Sequence, residues 1–193
     1  MKLLSRWRPI LIALCMLWLT LSFNLSAHAS AVEVSQARIE ASEDGYRLAA
    51  NYALDLSDGI KKALGEGLPV SFTAEVEISR ARWYWVDEKV SKVEQTIRIA
   101  YNEWTQQYAV TINNGLQQNF SSLDAAMSLV LRPGRWLVAD KSQLGSGKNY
   151  NIAVRLRMGI SQLPKHFQIS AFNDHNLRQI SEWKRFSYKV EDK

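Results

Sequence analysis

The residues best suited to chemistry crowd into one decapeptide, Arg80-Ala81-Arg82-Trp83-Tyr84-Trp85-Val86-Asp87-Glu88-Lys89. Indole rings offer flat apolar area with a donor at one edge, and guanidinium groups hold carboxylates and phosphates in a bidentate fork. Arg80, Arg82, Trp83 and Trp85 are therefore the candidate ligand-binding set, with two rings as a stacking platform for a sugar, peptide or lipid headgroup and two guanidiniums as anion clamps. The strand leading into them decides which of these groups is accessible. Val70, Phe72, Ala74, Val76 and Ile78 alternate with Ser71, Thr73, Glu75 and Glu77, the period of a strand with one buried face. Continued without interruption, that parity puts Trp83 and Trp85 on the wet face of Glu75 and Glu77, and turns Arg80 and Arg82 towards the core. One extra residue near Ser79–Ala81 exchanges the two faces. The tryptophans are then buried and the arginines pair with Asp87 and Glu88. The bulged arrangement is the expectation, because bulges are common in long strands and Trp is mostly buried.

Other chemistries find little support. The single cysteine, Cys15, sits in the N-terminal apolar run with Leu14 before it, which does not fit a lipid-attachment site. The remainder of the chain thus holds no disulfide, no disulfide-linked partner, no thiolate nucleophile and no cysteine-based metal site. His166 and His175 carry no HxxH or HExxH spacing, so no metal is expected. Ser170, Asp174 and His175 make a triad by composition only, and there is no Gly-x-Ser-x-Gly elbow. Gly145-Ser146-Gly147-Lys148 lacks the leading glycine and the following helix of a phosphate-binding loop, and reads as a hairpin turn. Glu43/Asp44 and Asp87/Glu88 are adjacent acids whose spacing does not make an acid/base pair. No catalytic residue, cofactor or cofactor-binding residue is assigned. Arg155 and Arg157, with Arg98, could form a basic outer face for acidic headgroups or an acidic partner; the plainer reading is solubility and edge protection.

The chain has 193 residues with 24 Lys and Arg against 19 Asp and Glu. Three of the bases, Lys2, Arg6 and Arg8, lie in the first 31 residues, which contain no acid. The rest of the chain is nearly balanced in charge, which gives no reason to expect nucleic acid. Residues 1–31 read as a secretory signal peptide: a basic start, an apolar centre over Ile10–Leu25, and small residues at Ala27-His28-Ala29-Ser30-Ala31. Cleavage is expected after Ala31, with Ala29 as the alternative. An uncleaved inner-membrane anchor is the rival, although a span needs about 20 mainly apolar residues. The expected location is the periplasm, reached by Sec-type export.

Residues 32–193 read as one β-rich domain. Val32–Ala41 and Tyr46–Leu56 pair across Ser42-Glu43-Asp44-Gly45. Ser57 caps a short helix that Gly65 and Gly67 end. Further strands are expected at Val93–Asn102, Tyr108–Ile112, Leu116–Phe120, Trp136–Val138, Tyr150–Ile160, Phe167–Ala171 and Phe186–Val190. A second helix spans Ser122–Leu131, with Ser121 and Asp124 as a capping box. The expected fold is mainly β, an antiparallel β-sandwich with two short helices. The alternative is α+β, with both helices on one sheet.

Arg-x-Arg-Trp-Tyr-Trp-x-Asp-Glu-Lys resembles the signature of a proteobacterial family, domain of unknown function 4390. Other pieces match in order: Gly67-Leu68-Pro69, Arg98-Ile99-Ala100-Tyr101, Gln107-Tyr108, Ser122-Leu123-Asp124-Ala125-Ala126, Trp136-Leu137-Val138-Ala139-Asp140, Val154-Arg155-Leu156-Arg157 and Ser161-Gln162-Leu163-Pro164-Lys165. Ala81 and His166 stand where the family usually has Pro. The resemblance implies an exported envelope protein without an established activity, and a link to envelope sensing by a membrane sensor kinase. It supplies no site residues. The functional expectation is a non-catalytic binding or protein-interaction domain whose partner is an envelope or membrane protein. The alternatives are a cell-wall or lipid-acting enzyme with a dispersed site, and a membrane-tethered accessory protein that keeps its leader.

Overall fold

A computed structural model describes residues 32–82, 84, 86–159 and 180–191. The leader, Trp83, Trp85, Ser170, Asp174, both later histidines and the strand expected at 167–171 lie outside these residues. Among the described residues, nine strands and two helices run in the order β1 (Val32–Ala41), β2 (Gly45–Leu54), α1 (Asp58–Gly65), β3 (Val70–Arg80), β4 (Glu88–Asn102), β5 (Gln107–Ile112), β6 (Gln117–Phe120), α2 (Leu123–Leu131), β7 (Trp136–Asp140), β8 (Asn149–Gly159) and β9 (Lys184–Lys189). They form a three-stranded sheet, β1-β2-β7, and a six-stranded sheet, β6-β5-β4-β3-β8-β9. All strand pairs are antiparallel. The expected β-sandwich is the fold.

The period-two pattern builds the core. Val70, Phe72, Ala74, Val76 and Ile78 of β3 are buried, as are Tyr150, Ile152, Val154, Leu156 and Met158 of β8. Leu48 and Tyr52 of β2, with Ile39 of β1, meet them from the smaller sheet. Removing this apolar area from water is the main stabilising term. Along one side the sheets are joined by Ser91 Oγ of β4, which donates to the Val138 carbonyl of β7 at 2.7 Å. Along the other, Lys184 Nζ of β9 donates to the Ser35 carbonyl of β1 at 2.9 Å. Helix α2 touches β2 of one sheet and β4, β5 and β6 of the other, so it covers the open end between the sheets and not one sheet's face.

Three local expectations change. The bulge near Ser79 lies in β4, where Val90 is skipped between the pairs Ile78–Ser91 and Ser79–Lys89, while β3 keeps a continuous register with β8 as far as Ser79–Asn151. The cap of α2 is Ser122, whose Oγ accepts the Ala125 N–H at 3.2 Å; the Ser121/Asp124 pair is out by one residue. Gly145–Lys148 is a crossover from β7 in one sheet to β8 in the other, not a hairpin turn. It is held by the Gly147 N–H donating to the Val190 carbonyl.

Candidate functional site

Residues of β3 that point away from the core lie on the outer face of the six-stranded sheet, and one of them is a carboxylate removed from water. Glu75 is only 2% exposed. It stands opposite Glu94 on β4 and Arg155 on β8. Like charges opposite one another across a ladder repel, and the arginines offset this. Arg155 reaches Glu75 Oε2 with its Nε at 2.8 Å and a terminal nitrogen at 2.6 Å. Arg157, one step along the same face, sets its Nε 2.7 Å from Oε1, a charge contact without the alignment of a hydrogen bond. A carboxylate taken out of water costs several kcal/mol unless it is paired, and two guanidiniums supply that pairing. The arginine side chains are 29% and 44% exposed, so each presents part of its surface outward while Glu75 fixes its direction.

Trp183 adds an aromatic wall. The chain ahead of it is pinned to the edge of β8: the Ser181 N–H donates to the Leu156 carbonyl at 2.9 Å, and Ser181 Oγ accepts the Leu156 N–H at the same distance. This places the indole under the Arg155 guanidinium, 4.3 Å from carbon to ring centroid, within range of a cation–π contact. Beside the ring is a groove of about 450 Å³. Glu77, Ser79 and Asp87 line one part of it, and Asn151, Arg185 and Ser187 another. Glu77 is also 3.8 Å from Lys92. The groove is open and of mixed character, with Ile152, Ala153 and Phe186 in its lining, and it offers carboxylate, amide, hydroxyl and guanidinium groups along one indole. It suits recognition of a polar group by several directed contacts.

The candidate set from the decapeptide is partly visible. Arg80 and Arg82 both bind Glu88 Oε2, Arg82 at 2.9 Å. The two guanidiniums thus share one carboxylate, the pairing expected of the plainer reading. Their hydrogen bonds, Arg82 first, hold the Glu88 carboxyl below its ordinary range. Trp83 and Trp85 lie outside the described residues. Asp87, from the same segment, lines the groove. Arg155 and Arg157 lie on the outer face as expected, but as partners of Glu75 and not as an uncompensated basic patch. Sequence reading missed Trp183, Arg185 and the burial of Glu75. The one available signal was the alternation of Arg155 and Arg157 with buried Val154, Leu156 and Met158; nothing in it pointed to a partner eighty positions away.

Among the described residues no cluster of three His, Cys, Asp or Glu side chains is placed to hold a metal ion. No helix among them is long and apolar enough to cross a membrane. The family model described as Domain of unknown function (DUF4390) matches residues 29–187. No curated protein and no solved structure matches the chain.

Proposed function

We propose, for a chain that belongs to the domain of unknown function 4390 family, that it is an exported envelope protein acting as a non-catalytic binding module through the outer face of its six-stranded sheet. The basic start, apolar centre and small-x-small ending of the first 31 residues support export. The observation that carries the binding reading is the buried Glu75, clamping Arg155 and Arg157 beside Trp183 and the groove. An apolar trio at these positions would serve stability as well or better. A fixed polar array instead lowers the ordering cost of recognition, because its side chains are already oriented. The segment that carries Arg80, Arg82, Trp83 and Trp85 is proposed as a second border of the same surface, since its Asp87 lines the groove. The partner is an envelope or membrane protein; the exported part of a membrane sensor kinase is the specific case the family resemblance implies.

The test is site-specific photocrosslinking in intact cells. A photoreactive residue replaces Ser187, in the groove, or Arg38, exposed on the smaller sheet. One discrete adduct is expected from position 187, lost when Trp183→Ala is added, with none from position 38. The same adduct from both positions, or none from 187, overturns the reading.

A further inference from the structure

Across the outer face from the groove, at the β4–β5 end of the sheet, Trp104 stands on a hairpin tip with 97% of its surface exposed. The tip is held in shape. Asn102 Oδ1 accepts the backbone N–H groups of Trp104 at 2.9 Å and Thr105 at 3.2 Å, and Gln106 closes the turn at a φ of 54°. The indole borders a hollow of about 470 Å³. Two alanines, Ala100 and Ala109, pair directly across β4 and β5 and line it, leaving a floor close to the backbone. The Gln117 amide and the Glu66 and Glu103 carboxylates share its lining, and Lys62 Nζ stands 4.0 Å from Glu66 Oε1 at its border.

We infer that this hollow is a carbohydrate site, distinct from the groove at Trp183, and that it takes a pyranose ring bearing an amine. The C–H face of a pyranose is apolar and flat enough to cover an indole, while its rim of hydroxyls needs donors and acceptors at the sides. Ala100 and Ala109 leave room for a ring to lie against the sheet, and Gln117 supplies both a donor and an acceptor. Charge selects among sugars. Glu66 is loosely paired with Lys62, so the charge selection falls to Glu103, which attracts an ammonium group and repels uronates, phosphates and anionic lipid headgroups.

The experiment uses the purified protein labelled with 5-fluorotryptophan, in which the Trp104 resonance is the one absent from Trp104→Phe. Glucosamine, N-acetylglucosamine and galacturonate tetramers are titrated in turn. The Trp104 resonance should move and saturate with the glucosamine tetramer at roughly millimolar concentration. The N-acetylated tetramer should bind about fivefold more weakly, the factor that one exposed ion pair supplies at most. The galacturonate tetramer should leave the resonance in place. Combining Glu66→Gln with Glu103→Gln should erase the fivefold preference, and Trp104→Ala should abolish calorimetric binding with no change in Tm, because the exposed ring supports no packing. An unmoved Trp104 resonance with the glucosamine tetramer, equal binding of the acidic tetramer, or binding retained by Trp104→Ala overturns the inference. None of these outcomes touches the crosslinking result at Ser187.

Discussion

Glu75 shows how much a single side chain can depend on register. Alternation along β3 gives its face correctly, outward with Glu77. Its burial comes from Arg155 and Arg157, which reach it only because β3 and β8 pair Glu75 with Arg155. That pairing joins segments far apart in the chain and leaves no mark in either strand alone. Replacing Glu75 by Gln keeps the shape and removes the charge. The two part-exposed arginines then rehydrate, so the loss falls below that for fully buried pairs, at about 2 kcal/mol by urea denaturation. An unchanged urea midpoint would show that the trio adds nothing to stability. Asp44 offers a second, electrostatic test. Hydrogen bonds from Arg47, then from Ser42, lower its carboxyl to about 2. The folded state therefore binds this proton more weakly than the unfolded chain does. The stabilisation is complete above the ordinary carboxylate range and is lost as pH falls through about 2. Carboxyl titration followed by NMR should find Asp44 near that value, and Arg47→Ala should raise it part of the way to the ordinary range, the Ser42 hydrogen bond holding the remainder.

At the level of elements, the sequence was most legible where period two is clean. β1, β2, β3 and β8 fall within a residue or two of expectation; β2, β3 and β8 bury one face continuously, while β1 shifts phase at a bulge between Val34 and Gln36. β4 is longer than expected: Glu88–Lys92 extends it ahead of Val93. Its acidic and basic residues hide the alternation, and the skipped Val90 breaks the phase that would have revealed it. Asp44-Gly45 was legible as a turn, and the structure gives Gly45 a second duty. Its φ is 149°, and a Cβ there would stand 2.4 Å from the Ala139 carbonyl oxygen of β7. Gly45→Ala should therefore part β2 from β7 and cost about 2 kcal/mol or more, read as a lower urea midpoint with early amide exchange at Ala139 and Asp140. Ser122→Ala removes the α2 cap and should cost about 1 kcal/mol in the same assay; a loss this small while Ser121→Ala is neutral would fix which serine does the capping.

For the whole molecule, composition and periodicity established a sandwich but not its wiring. Assigning β7 to the small sheet and β8 to the large one, and seating α2 over the open end, are long-range choices made by packing between segments. The candidate surface depends on that wiring, since β3, β8 and β9 come together only in the six-stranded sheet. On the proposed reading of the first 31 residues as a leader, mass spectrometry of protein recovered from the envelope should find chains that begin near Val32 and not at Met1. The start of β1 then imposes an order of events. Val32 is 2% exposed and paired with Leu54, so the first residue after the proposed cut already belongs to the packed sheet. A peptidase must draw several residues on each side of its cut into its own cleft, and after Ala31 those residues belong to β1. Trimming therefore has to come before β1 docks on β2. A precursor that folds too early should keep its leader even when mixed with active peptidase, and should lose it once urea frees the strand.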